Sequence, residues 1–147
     1  MRASGIGATK RKLDQRGVAA LEFCLIAVPL FTLIFAIFDL GRYAITLQSL
    51  RALANGSARA TMIADCYVNA ELNKTTPSCP SDPLTTAQKQ AIAPFLYNTS
   101  LSITPTVSTT TGTSVLTVTA SSPNFKMLMP VWGTTLNAPS VTTKIPF

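Results

Sequence analysis

A single apolar segment constrains this chain more than any other feature. From Phe23 to Phe38, sixteen consecutive residues carry no charge, and eleven of them are Phe, Leu, Ile or Val. The wider stretch from Val18 to Leu40 would form a helix of about 34 Å, slightly longer than the hydrocarbon core of a bilayer, which is about 30 Å thick. Pro29 lies inside the segment, but membrane helices tolerate proline. The sequence therefore predicts one membrane-spanning helix.

Basic residues are concentrated before that helix. Residues 1–17 contain five Lys or Arg and one Asp, whereas the other 130 residues contain seven bases and five acids. Basic flanks favour the cytoplasmic side, so we predict a cytoplasmic N-terminus and an extracytoplasmic C-terminal region. The cluster Lys10-Arg11-Lys12 has no interleaved aromatic residues. We interpret it as part of this anchor and predict no binding to nucleic acid.

The composition argues against an enzyme. The chain has no histidine, which excludes Ser–His and Cys–His catalysis and zinc sites with histidine ligands. Asp65, Glu71 and Asp82 are scattered over a polar stretch and lack the spacing of paired carboxylates or of metal ligands. We therefore expect no catalytic residue, no metal, no cofactor and no small-molecule substrate.

The helical pattern continues beyond the apolar segment. Apolar side chains recur at spacings of three and four along one face, at Leu40, Tyr43, Leu47, Leu50, Ala54, Ala58 and Met62. Frequent alanine favours the helix, whereas Asn55-Gly56 weakens it. We predict one continuous helix from Val18 to near Asp65, with a stripe that must be covered by the C-terminal region or by neighbouring subunits.

Cys66 and Cys79 bracket the next stretch, which is polar and contains one proline, Pro77. A disulfide over a loop of this length contributes about 3 kcal/mol in an oxidising compartment, and we favour that bridge over two unrelated buried thiols. Cys24, within the apolar run, is interpreted as a small apolar filler.

The remaining residues predict a small domain with a short antiparallel sheet. One short helix is expected from Thr85 or Thr86 to Tyr97, with its end disturbed by Pro94. Alternation predicts strands at Ser102–Thr104, Val115–Thr119 and Val141–Pro146, with a turn at Thr111-Gly112-Thr113. The apolar patch from Phe125 to Trp132 either packs between this sheet and the long helix or forms a surface for a partner. The expected class is α+β: a long N-terminal helix, membrane-spanning in its first half, followed by a small disulfide-linked extracytoplasmic domain.

A specific motif stands at the start of the apolar helix. A basic leader ends at Gly17, the apolar helix begins at Val18, and Glu22 is the fifth residue after the glycine. This arrangement resembles the processing site of type IV prepilins. Residues 16–59 resemble the TadE-like family of the tight-adherence pilus system. The resemblance rests on the segments GVAALEF (17–23) and FDLGRY (38–43), on Pro29 and on the alanine-rich helix that follows.

The resemblance implies a substrate of a prepilin peptidase. Cleavage between Gly17 and Val18 would leave the apolar helix on the product and create an α-amine at Val18, one helical turn from Glu22. That ammonium could neutralise the Glu22 carboxylate, within the chain or across to a neighbouring pilin, and so set the register of assembly. The organisation expected is a leader (1–17), a transmembrane and extended helix (18–65) and a small domain (66–147).

The function implied is that of a non-catalytic minor pilin or pseudopilin in a bacterial inner membrane. Its implied partners are the prepilin peptidase, other pilins and pseudopilins, the pilus assembly platform and the lipid bilayer. An alternative is an unprocessed single-pass membrane protein whose small extracytoplasmic domain binds a partner. Retention of residues 1–17 in the mature protein would favour that alternative.

Overall fold

The computed structural model describes residues 15–98 and 103–147. Most of the predicted leader, including the cluster at Lys10, and Ser102 lie outside the described residues. The elements in chain order are α1 (Gln15–Met62), α2 (Asp65–Leu72), α3 (Thr86–Ile92), β1 (Thr106–Thr111), β2 (Val115–Ser121), a 3₁₀ turn (Pro130–Trp132) and β3 (Ser140–Pro146). The predicted α+β class is confirmed: a long apolar helix precedes a small domain with a three-stranded antiparallel sheet.

Two compact units divide the chain, the first ending at Ile37 and the second comprising Phe38–Phe147. In the first unit, α1 continues through Pro29 without a break, and the Thr32 hydroxyl donates a hydrogen bond to the carbonyl of Val28 at 2.8 Å. Large apolar side chains point outward all around this part of the helix; Phe23 and Ile26, for example, are 68% and 69% exposed. A helix that is apolar on every face is stable only in apolar surroundings. Among the described helices, α1 has the length and composition to cross a membrane, which fits a single-pass membrane protein.

The core of the second unit forms between the C-terminal half of α1 and the sheet. Leu50, Leu53 and Ala54 of α1 are fully buried. In β2, the central strand, every second side chain is buried, as expected for a strand with one face on the core. Phe125 packs into the same cluster as these α1 residues.

The stripe predicted along α1 is correct in its middle and wrong at its ends. Leu40 and Met62 are each about 40% exposed. Two threonines of α1, Thr46 and Thr61, are buried instead. Their hydroxyls can be buried because each donates a hydrogen bond within the helix, Thr46 to the carbonyl of Arg42 and Thr61 to the carbonyl of Ser57. A search for apolar residues alone overlooks such positions.

The first predicted strand is wrong, whereas the other two are confirmed within two residues at either end. Instead of Ser102–Thr104, β1 comprises Thr106–Thr111 and pairs with β2 from the turn outward, with Thr111 opposite Leu116. The Gly112 amide closes the turn by donating to the carbonyl of Val115 at 2.8 Å. The pairing of β1 with β2 ends at Thr106, because Pro105 before it has no N–H to donate to the neighbouring strand.

The disulfide between Cys66 and Cys79 is present in the structure. Cys66 lies on α2, a helix that the sequence reasoning missed because it treated the whole stretch as a loop. The α2 residue Tyr67 donates from its hydroxyl to the carbonyl of Pro146 at the end of β3. Burial, followed by the nearby charge of Glu71, raises the pKa of Tyr67.

Helix α3 is shorter than predicted. It begins with a capping box between Thr85 and Gln88 and ends at Ile92, so the prediction that it reaches Tyr97 was wrong. Pro94 explains the early end, because the residue before a proline is disfavoured in the helical region. Lys89 of this helix forms an ion pair with Asp82.

Candidate processing and assembly site

The predicted scissile bond lies in the first turn of α1. The helix begins at Gln15, so Gly17 and Val18 both have helical backbone, and both are exposed. A side chain built at Gly17 would meet nothing within 4 Å. The amides of a first turn have no partner within the helix, so this turn can unwind at lower cost than later ones. The extended backbone expected at a protease cleft would thus require only this turn to open.

Glu22 follows one turn later on an exposed helix surface. It is four residues from Val18, and residues at this spacing lie on the same face of a helix. Among residues 17–98 and 103–147, whose side chains the structure describes, no ion pair involves Glu22. A shallow apolar recess on the same helix is lined by Leu21, Cys24, Leu25, Val28 and Pro29. The carboxylate therefore stands beside apolar side chains without a countercharge in the part of the chain that the structure describes.

Cys24 is exposed on α1. Its thiol is free and belongs to the outer surface of the apolar helix. It therefore fills no space within the described fold, and its surroundings would be supplied by lipid or by another helix.

A second polar group on α1, which the sequence reasoning did not single out, is the carboxylate of Asp39. Its side chain is only 1% exposed. It accepts hydrogen bonds from the backbone amides of Leu128 and Met129, each at 3.0 Å from Oδ2, and from Nη1 of Arg42 at 3.3 Å. A buried carboxylate requires such donors because burial removes its hydration. Asp39 is thus a structural anchor for the chain around residue 128.

Arg42 and Tyr43 complete this anchor around Phe125. The guanidinium carbon of Arg42 lies 5.4 Å from the centre of the Phe125 ring, and the Tyr43 ring centre lies 6.1 Å from it. The segment FDLGRY, on which part of the family resemblance rests, therefore holds the start of the apolar patch. An acid and a base three residues apart, directly after an uncharged run, indicate the local pair of Asp39 and Arg42 but not its contacts with residues 125–129.

The apolar patch from Phe125 to Trp132 divides into a buried and an exposed part. Phe125 packs against α1 and the sheet, so the prediction of a packing role is correct for this residue. For Leu128 and Val131 it is wrong, because 75% and 67% of their surfaces are exposed.

Within the described residues, no group of three or more His, Cys, Asp or Glu side chains is placed to hold a metal ion. Asp82 is paired with Lys89, and it is the second cause, after burial, of the raised pKa of Tyr97. The carboxylates of Asp39 and Asp82 thus have structural partners.

Comparison with known families places the resemblance at the N-terminal part of the chain. Residues 17–59 match the family described as TadE-like protein, which confirms the resemblance predicted there. The match begins at Gly17, includes Glu22 and Asp39, and covers less than a third of the chain. No curated protein and no solved structure matches the sequence.

Proposed function

We propose that this chain is a non-catalytic minor pilin or pseudopilin that takes part in assembling an adhesive, tight-adherence pilus of the type IV-like class. The observation that carries this proposal is the family match over residues 17–59, which starts at the glycine of the processing motif. The exposed apolar surface of α1 between Val18 and Phe38 supports it, because a pilin helix must exchange lipid contacts for contacts with other subunits.

A prepilin peptidase would cut the precursor between Gly17 and Val18 at the cytoplasmic face of the inner membrane. Glycine suits the position before the cut because it has no side chain and allows an extended backbone to enter a narrow cleft. The open space around Gly17 and its place in the first turn of α1 are compatible with that entry. The product keeps its apolar helix and remains in the membrane, with residues 66–147 on the extracytoplasmic side.

Glu22 would then direct assembly. After cleavage, the α-ammonium of Val18 is the nearest new positive charge, one turn away on the same chain or on a neighbouring pilin. A carboxylate without a partner is costly in an apolar environment, so the pair favours one axial register between helices. The exposure of Glu22 and the apolar side chains beside it support this role.

Genetic replacement tests the proposal. In the bacterium that produces this chain, its coding sequence is deleted and then restored as the natural form, as Gly17→Val or as Gly41→Val. Pili are counted by electron microscopy, and the mass of the membrane-bound product is measured. Gly41 is a matched control for cleavage, because a side chain there also meets nothing within 4 Å.

We expect few or no pili after deletion, and restoration by the natural form. Gly17→Val should retain the leader and restore no pili, whereas Gly41→Val should be cut. Normal piliation after deletion would contradict a role in assembly. Full activity of an uncut Gly17→Val chain would support the alternative, a membrane protein that binds its partner without processing.

A further inference from the structure

The segment from Lys126 to Trp132, called here the 126–132 loop, exposes apolar side chains at a fixed position. Leu128 and Val131 are 75% and 67% exposed. The loop is not loosely attached, because Phe125 before it is buried and the amide of Met127 donates to the Asn137 side chain at 2.9 Å. Two large apolar side chains held in place at a surface offer a contact for a partner with apolar chemistry.

The position of the loop along α1 identifies that partner. The amides of Leu128 and Met129 bind the carboxylate of Asp39, and Asp39 is the residue directly after the uncharged run that ends at Phe38. Phe38 and Leu40, on either side of Asp39, are themselves 68% and 40% exposed. The exposed apolar side chains of the loop are therefore held beside the point where the predicted membrane span ends.

The polar composition of the loop fits the boundary between lipid headgroups and acyl chains. Lys126 is exposed and can meet lipid phosphates, and Arg42 is partly exposed although one of its nitrogens is paired with Asp39. Trp132, the only tryptophan of the chain, lies partly exposed in the 3₁₀ turn of the same loop. Tryptophan is enriched at this depth of a bilayer. The indole N–H of Trp132 is buried, so it is the partly exposed ring that would meet the lipid.

We propose that the 126–132 loop is a membrane-seating element that inserts Leu128 and Val131 into the extracytoplasmic interface of the bilayer. The small domain would thereby rest on the lipid surface instead of standing free above it. Because this inference rests on the membrane span of the proposed function, its test contains a separate reporter for the span.

Trp132 is a built-in probe for the experiment. The full-length chain is reconstituted into vesicles of phosphatidylethanolamine and phosphatidylglycerol whose acyl chains carry bromine near the headgroup or near the terminal methyl group. Bromine quenches tryptophan only at short range, so the loss of emission reports the depth of the ring. We expect bromine near the headgroup to remove at least about half of the Trp132 emission, since an interfacial ring lies at that depth. Bromine near the terminal methyl group should remove little.

Two relocated tryptophans serve as references in a Trp132→Phe background. Phe31→Trp reports on the span, and deep bromine should quench it. Ile63→Trp is the matched surface control: Ile63 is 80% exposed and follows Asp39 by 24 residues, about 36 Å along a helix. It should not be quenched by either lipid. Quenching of the Phe31→Trp variant without quenching of Trp132 would overturn the loop proposal and leave the span intact. Loss of quenching at both positions would refute the span itself.

A second comparison tests which side chains are responsible. The double variant Leu128→Ser with Val131→Ser should lose most of the lipid quenching of Trp132, whereas Ile63→Ser with Leu72→Ser should retain it. These four residues are exposed, so the fold should survive all the changes. Unchanged quenching in the first pair would overturn the proposal. So would a Trp132 that is shielded from both lipid bromine and aqueous acrylamide, because another protein chain would then be covering the loop.

Discussion

The backbone amide of Leu128 donates to both carboxylate oxygens of Asp39, at 3.0 and 3.2 Å, although 89 residues separate the two in the chain. Met129 adds a third bond from the next amide. One acid in the segment that matches the TadE-like family thus fixes a loop of the C-terminal region, which lies outside the match. This contact gives the polar residue at the end of the apolar run a definite structural role.

Replacing Asp39 by asparagine should destabilise the second unit. The neutral amide offers one acceptor oxygen in place of two, and its NH₂ group would face backbone N–H donors. Hydrogen bonds to charged groups contribute about 1.5–3 kcal/mol, so we expect a loss of about 2 kcal/mol in the free energy of unfolding. Urea unfolding of the full chain in detergent, followed by Trp132 emission, measures this loss. Glu71→Gln, at an exposed position, is the control; equal unfolding midpoints for the two variants would refute the anchoring role.

Removing the disulfide should lower stability by a comparable amount. The bridge joins residues that are 13 positions apart, and closing a loop of this length contributes about 3 kcal/mol. Cys66→Ser with Cys79→Ser should therefore unfold at clearly lower urea concentration. Cys24→Ser, which removes the exposed free thiol, should unfold like the natural chain. If the Cys66→Ser, Cys79→Ser variant unfolded at the same urea concentration as the natural chain, the disulfide would not be stabilising the folded state.

The effect of a substitution at Gly56 on the free energy of unfolding should depend on the side chain at position 92. A Cβ at Gly56 would lie 2.8 Å from Cδ1 of Ile92, a close approach that only a shift of the isoleucine can relieve. Alanine in place of glycine inside a helix gains up to about 1 kcal/mol, so Gly56→Ala should realise that gain fully only when Ile92→Val has removed the interfering methyl group. A double-mutant cycle of unfolding free energies measures the coupling. Strict additivity would show that the two side chains do not interfere.

Neutralising Glu22 should impair assembly without preventing cleavage. Glu22→Gln keeps the shape of the side chain but cannot form an ion pair with the α-ammonium of Val18. We expect a mature chain that still begins at Val18, and pili reduced on the order of tenfold, the factor that about 1.4 kcal/mol produces in an equilibrium. Pili are counted by electron microscopy, and Glu71→Gln is the control. Equal numbers of pili for both variants would remove Glu22 from the assembly mechanism.

Much of the fold follows from local sequence patterns. The uncharged run indicates the apolar half of α1, and alternation between apolar and polar residues locates β2 and β3. The misplaced β1 shows where such patterns are insufficient. Thr106–Thr111 has little hydrophobic alternation, and it becomes a strand because the turn at Gly112 brings it beside β2. Strands of this kind are determined by their neighbours more than by their own residues.

The candidate site was predictable only at its N-terminal end. Gly17, Val18 and Glu22 form a linear motif, and a linear motif can be found without knowledge of contacts. Asp39 could have been noticed as an acid at the end of an apolar run, but its partners at Leu128 and Met129 are remote in sequence and contribute only backbone amides. Backbone donors leave no trace in residue type, so the sequence alone does not predict this contact.

The measurement that tests the central claim most directly is the N-terminal sequence and intact mass of the natural protein from native membranes. It is made in cells with the prepilin peptidase and in cells from which the peptidase has been removed. A mature chain that begins at Val18 only when the peptidase is present is the predicted result, and it would place the protein in the pilin pathway. A chain that still begins at Met1 in both cells would contradict the account and leave a membrane-anchored binding domain.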